Sequence, residues 1–179
     1  GSASNIFSER LYPTSRVFLR GEMAKKVARA NEILKKDGYR LIIIEGYRPL
    51  FVQKKMYDYY RNPNWISHPN KGKKTHTRGV AVDCTLETLE GIELSMPTAY
   101  LDFKNFAKMK SDAKGLPKEI QKNRDYLIRT MESCGLENYP GEWWHFQLPN
   151  WQDYPIIEND QDVIQMDRDM ISEKELSVS

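Results

Sequence analysis

Between Glu22 and Lys36 the apolar side chains recur every three or four positions, at Met23, Val27, Ala30, Ile33 and Leu34, which gathers them on one side of an α-helix. Asp37-Gly38 follows as a C-terminal stop, because glycine leaves the helical conformation without a Cβ penalty. The period then changes. Tyr39 to Ile44 is a β-branched and aromatic run of strand length, broken by Gly46-Tyr47-Arg48-Pro49. Helical spacing resumes from Leu50 to Tyr60 through Phe51, Met56, Tyr57 and Tyr60. The charged, Pro- and Asn-containing stretch from Arg61 to Lys74 predicts a long exposed loop, the kind of segment that often carries function. From Gly79 to Leu86 the pattern alternates, with Val80, Val82 and Cys84 on one face and Ala81, Asp83 and Thr85 on the other. That is strand behaviour, and it sets Asp83 on a stiff support.

Glu87 to Ser95 predicts a hairpin turning at Gly91, and Tyr100 to Lys110 a short helix. Pro117 stands where a helix favours its first residue, and Ile120, Tyr126, Leu127 and Met131 continue the stripe to Cys134-Gly135. Pro140-Gly141 turns the chain into an aromatic-rich strand, Glu142 to Leu148, closed by Pro149. Strands and helices in mixed order, without βαβ repetition or internal repeats, predict an α+β fold: a single domain with a central, mainly antiparallel sheet flanked by helices. The boundaries expected are an N-terminal segment 1–11, a domain 12–157 and a tail 158–179. From Glu158 the chain holds seven acids against Arg168 and Lys174 with few large apolar groups, the composition of a loosely held tail. Gly1-Ser2-Ala3-Ser4 reads as a vector remnant in place of the native start, so a secretion signal would not be visible here.

At 179 residues and 40% hydrophobic, the chain can bury one substantial core. A net charge of +2 with acids and bases mixed along the chain lacks the concentrated basic footprint of a nucleic-acid binder. The longest purely apolar run, Leu41 to Ile44, is far too short to span a bilayer. Cys84 and Cys134 are too few for a disulfide framework and lie in no C-x-x-C spacing, so ordinary buried thiols are expected.

Two of the three histidines fall in short clusters, Thr75-His76-Thr77-Arg78-Gly79-Val80-Ala81-Val82-Asp83 and Glu142-Trp143-Trp144-His145, each close to a carboxylate. Three N/O ligands with the fourth position left to water is the arrangement of a catalytic zinc site. His76, Asp83 and His145 are the expected ligands and Glu142 the expected base. For His76 and Asp83 to reach one ion, the chain must curl back at Gly79, which glycine permits. Glu142 and His145, three apart, would point to opposite faces of a straight strand, so a turn or bulge is required near Glu142. Arg48, fixed between Gly46 and Pro49 after the first strand, is a candidate to stabilise developing negative charge, the alternative being an ion pair with Glu45. Trp143 and Trp144 fit either the core or a substrate cleft. His68 is expected to be solvated.

The order Glu45-Gly46-Tyr47-Arg48-Pro49, then His76-x-x-Gly79-x-Ala81-x-Asp83, then Glu142-Trp143-Trp144-His145 resembles the VanX-like D-alanyl-D-alanine dipeptidases, bacterial zinc peptidases in one superfamily with the VanY-type D,D-carboxypeptidases and the hedgehog signalling domain. The resemblance runs from about Tyr12 to Leu148. It implies one zinc ion per chain on His76, Asp83 and His145, Glu142 as general base, Arg48 on the oxyanion, and a small dipeptide, most of all D-Ala-D-Ala, as substrate. Tyr47, Lys74, Thr75, Trp144 and Asp102 are the implied substrate contacts, with Asp102 meeting the ammonium. Two departures stand out. Lys74 occupies a position where the family has serine, and Met96-Pro97-Thr98-Ala99-Tyr100-Leu101-Asp102 brings its acid one residue later than the family's Met-Gly-(Ser/Thr)-x-Phe-Asp. A D,D-carboxypeptidase or endopeptidase on peptidoglycan stem peptides, and a non-catalytic zinc-containing binding module, are the alternatives. Bacterial cytoplasm and periplasm both remain open as compartments.

Overall fold

The computed structural model describes residues 16–62 and 66–158; the expected N-terminal segment 1–11 and, apart from Glu158, the acidic tail lie outside the described residues. Helix α1 (Gly21–Lys36) ends as its period suggests, with the N–H groups of Asp37 and Gly38 returning to the carbonyls of Leu34 and Lys35 and Gly38 at φ 85°. Strand β1 (Tyr39–Glu45) and helix α2 (Leu50–Tyr60) follow, the helix stopped by Arg61 in the left-handed conformation. Strand β2 runs from Ala81 to Thr88, two residues later at each end than its alternation suggests, because residues 75–79 are spent on a turn. The hairpin at Gly91 forms as expected, with Thr88 N–H on the Ile92 carbonyl and Leu94 N–H on the Leu86 carbonyl.

The helix expected over Tyr100 to Lys110 is cut short. Leu101 adopts φ 55°, which an α-helix cannot contain, so only a 3-10 turn at Phe103–Asn105 and a one-turn helix, α3 (Phe106–Met109), form. Helix α4 (Lys118–Ser133) matches its stripe. The expected strand from Glu142 to Leu148 is also shorter: β3 is Glu137–Asn138, and β4 begins only at His145 and ends at Gln147. The four strands form one antiparallel sheet in the order β1-β2-β4-β3, the α+β architecture expected.

One face of the sheet is the core. Val80, Val82, Cys84, Leu86 and Phe146 pack there against Met23, Val27, Ala30 and Leu34 of α1 and Leu127 and Met131 of α4. Fully burying one such aliphatic side chain contributes about 1.5–3 kcal/mol, so this layer holds the sheet flat against its helices. A smaller cluster of Val52, Met56 and Ile66 seats α2, and its buried Ile66 shows that the loop after α2 is anchored rather than simply exposed. His68, expected to be solvated, is half-buried with its ring edge-on to Tyr57 at 4.8 Å. Cys84 and Cys134 are free and buried, as expected. No helix among the described residues is long and apolar enough to cross a membrane.

Candidate metal centre

On the other face, three polar residues stand in a row across the sheet. Asp83 lies opposite Glu45 on β1 and opposite His145 on β4, and directly opposed residues in an antiparallel ladder point to the same side. The pairing with Glu45 depends on a register shift: Ile43 faces Cys84 and Glu45 faces Asp83, so Ile44 is the extra residue of a bulge. Without it Glu45 would point into the core.

His76 arrives from the turn before β2. Arg78 N–H donates to the Lys74 carbonyl, Gly79 N–H to the His76 carbonyl and Val80 N–H to the Thr75 carbonyl, with Gly79 at φ 71°. This is the curl that the spacing of His76 and Asp83 demanded. His145 Nδ1, His76 Nε2 and Asp83 Oδ1 form a triangle with edges of 3.0, 3.1 and 3.3 Å. All three residues are buried. Four ligands placed tetrahedrally about 2.0–2.1 Å from zinc would be spaced about 3.3 Å apart, so the triangle fits one face of that tetrahedron.

The proton inventory supports the same reading. His76 Nδ1–H donates to the Gly46 carbonyl at 2.7 Å, leaving a lone pair on Nε2. His145 Nε2 lies 3.4 Å from Gln147 Oε1 and 3.5 Å from Thr75 Oγ1, an environment that favours a proton there and a lone pair on Nδ1. With neutral rings, the three facing atoms are all acceptors, and a cation resolves that. Protons on the imidazoles can take the cation's place: burial alone would raise the Asp83 carboxyl, but His76 and His145 in their protonated forms, by charge and hydrogen bond, hold it well below the usual carboxylate range.

Glu142 reaches this centre by the turn that its spacing from His145 required. His145 N–H donates to the Glu142 carbonyl at 3.3 Å, and Glu142 Oε2 lies 3.9 Å from His145 Nδ1. Burial pushes the Glu142 carboxyl up to about 7, with the His145 charge opposing. Arg48 is buried and held as a fork: Nε donates to Glu45 Oε1 at 2.7 Å, Nη2 to Glu45 Oε2, and Nη1 to Gln53 Oε1 at 2.8 Å. The ion pair with Glu45 is therefore real, and it is buried rather than superficial. Burial would raise Glu45, yet the Arg48 charge and hydrogen bond hold it below its ordinary value. Arg48 N–H also donates to the His76 carbonyl at 3.2 Å, tying the Gly46–Pro49 turn to the histidine turn.

The other expected substrate contacts are placed differently from one another. Trp144 is fully buried in the core against Tyr100 and Trp143 and presents no surface to a ligand. Tyr47 is buried, its hydroxyl donating to the Ile157 carbonyl at 3.4 Å. Thr75 backs His145 as described. Lys74 is half-buried with φ 53°, an uncommon conformation for a lysine. Asp102 accepts from Asn105 Nδ2 at 2.7 Å and begins the 3-10 turn. Four supporting groups were not anticipated: Gln147, which the two-residue strand period from His145 could have flagged, Gln53 on Arg48, the Gly46 carbonyl, and Tyr100.

Gly46 also meets the segment before α1. A Cβ there would stand 2.5 Å from Val17 Cγ1 and 2.8 Å from the Phe18 carbonyl oxygen. Since the latter is backbone held by Tyr47 N–H at 2.8 Å, Gly46→Ala must shift either the segment before α1 or the Gly46–Pro49 turn, and movement of the turn takes the Gly46 carbonyl off His76. The variant is expected to melt lower than the parent and to bind zinc more weakly, by about 10–100-fold, as measured by calorimetric melting and chelator competition.

Two imidazoles and a carboxylate converging on one point, with a second carboxylate alongside, define the site of a mononuclear metal-dependent hydrolase. The chain matches the family model described as D-ala-D-ala dipeptidase (Peptidase M15) over residues 2–164, and it belongs to that family. It is 31% identical over 168 residues to the D-alanyl-D-alanine dipeptidase of Enterococcus faecium, covering 81% of this chain and 83% of that one. To the D-alanyl-D-alanine dipeptidase of Escherichia coli K12 it is 28% identical over 155 residues, covering 87% and 79%. Among solved structures, VanYB in complex with D-alanine-D-alanine aligns with a TM-score of 0.48 at 14% identity, covering 84% of this chain and 83% of that one.

Proposed function

We propose that this chain is a zinc metallopeptidase that hydrolyses D-Ala-D-Ala, with the ion on His76, Asp83 and His145, Glu142 as general base and Arg48 as the cation facing the developing oxyanion. The observation that carries the reading is the 3.0–3.3 Å triangle of acceptor atoms with the Glu142 carboxylate beside it. Membership of the dipeptidase family supplies the substrate class.

When bound, zinc supplies a Lewis acid and lowers the pKa of a water to about 7. Glu142, whose carboxyl burial raises above the ordinary carboxylate range, would take a proton from the attacking water and return it to the leaving amine. Arg48 cannot swing, because Glu45 and Gln53 hold three of its nitrogens. A charge fixed before reaction needs no reorganisation as negative charge grows on the substrate carbonyl oxygen.

The test is a comparison of D-Ala-D-Ala, L-Ala-L-Ala and a tripeptide ending in D-Ala-D-Ala, each with zinc-loaded protein. Hydrolysis confined to the D,D dipeptide is expected. Equal turnover of the tripeptide would make the chain a carboxypeptidase, and tightly held zinc with no turnover of any of them would make it a binding module.

A further inference from the structure

The oxygen of Asp83 that faces away from the imidazoles has its own partner. Tyr100 Oη lies 3.0 Å from Asp83 Oδ2 and 2.8 Å from Glu45 Oε2. Tyr100 belongs to no strand; it is brought in by the irregular loop before the 3-10 turn, with its ring edge-on to Trp144 at 5.5 Å. A hydroxyl has one proton to give and here meets two carboxylates. Glu45 already receives two N–H groups from Arg48, whereas among the described residues Tyr100 is the only donor on Asp83 Oδ2.

We propose that Tyr100 is a positioning residue for the metal centre: its hydroxyl holds Asp83 Oδ2 so that Oδ1 alone faces His76 and His145, and it links Asp83 through Glu45 to Arg48. The inference rests on Asp83 being a metal ligand. A carboxylate pinned by one oxygen offers the other in a fixed direction, as outer partners of metal ligands commonly ensure. If the hydroxyl is removed, Asp83 is free to turn about its terminal torsion, and two buried carboxylates face each other with no donor between them. Tyr100 touches neither the reacting atoms nor the ion. It acts through Asp83.

The experiment is chelator competition for zinc by the metal-free full chain, comparing wild type with Tyr100→Phe, Asp83→Ala and Thr98→Val. Thr98 Oγ1 accepts from Trp143 Nε1 at 3.1 Å, so Thr98→Val loosens the same loop without touching the hydroxyl bridge. Tyr100→Phe is expected to weaken zinc binding by about 10–100-fold while Thr98→Val stays within about twofold of wild type. The visible absorption of the cobalt(II)-substituted protein should also weaken in Tyr100→Phe, as Asp83 becomes able to bind through both oxygens. Wild-type affinity and an unchanged cobalt spectrum in Tyr100→Phe would overturn the proposal, and so would an equal loss in Thr98→Val, which would assign the effect to the loop. Zinc binding by Asp83→Ala as tight as wild type would instead overturn the metal-ligand reading beneath it. Should Tyr100→Phe not fold, Tyr100→Phe with Glu45→Gln is compared with Glu45→Gln alone, which removes the facing charges. A further loss of about tenfold or more supports the role, and none overturns it.

Discussion

Glu142→Gln is expected to retain one zinc ion per chain and to lose about 10²–10⁴-fold in kcat on D-Ala-D-Ala, the usual worth of a positioned general base. Glutamine keeps the size of the side chain and can still hydrogen-bond, but it cannot accept a proton and hand it on. The backbone that places residue 142 is indifferent to the change, since the turn is made by Glu142 N–H on the Tyr139 carbonyl and by His145 N–H on the Glu142 carbonyl. The metal ligands keep their contacts as well: His76 Nδ1 remains on Gly46, and Asp83 remains between His145 and Tyr100. Loss of turnover with zinc retained is therefore the specific signature of a missing base. Metal analysis and the rate of D-alanine release measure the two quantities separately. Wild-type kcat in Glu142→Gln would place the base elsewhere.

How far the site could be read from the chain depended on whether its geometry was local. The stripes that define α1, α2 and α4 come from side chains three and four residues apart, and they end where Gly38, Arg61 and Gly135 leave the helical region. The convergence of the candidate ligands was legible for a related reason: His76 with Asp83, and Glu142 with His145, are near neighbours in sequence, and only a defined turn at each cluster could make them converge. Both turns form. Long-range geometry was not legible. The bulge at Ile44 that swings Glu45 beside Asp83 is a register choice made between strands about 40 residues apart, and nothing in the apolar run Leu41–Ile44 marks it. The two residues of β3 are too few to show a period. The missing first turn of the helix after Tyr100 follows from Leu101 taking a left-handed conformation, which its side chain disfavours; Leu101 and Phe103 there pack onto α2's cluster, a long-range contact that local spacing does not reveal. Trp144 followed its hydrophobicity into the core, and its burial was a stronger signal than its place beside His145.

His145→Ala is expected to abolish the stabilisation that zinc confers. Wild-type protein in zinc at about 1,000 times its dissociation constant gains about 4 kcal/mol from binding, which for a chain of this size raises Tm by about 8–16 °C. Losing one of three ligands should exceed the 10–100-fold cost of losing an outer partner. If the affinity falls about 1,000-fold, the same zinc concentration only matches the new dissociation constant, and the gain drops to about 0.4 kcal/mol. The zinc-dependent rise in Tm then shrinks to about 1 °C. Without metal the substitution should be better tolerated than an ordinary core truncation, because it removes one of three mutually facing polar atoms rather than a packed apolar group. His68→Ala is the control: His68 packs on Tyr57, away from the His76–Asp83–His145 cluster, and its zinc-dependent rise should equal that of the wild type. Calorimetric melting of the three proteins with and without zinc decides the matter. A full zinc-dependent rise in His145→Ala would mean that the ion binds at some other set of side chains, and Glu142 would then have no reason to act where its turn has put it.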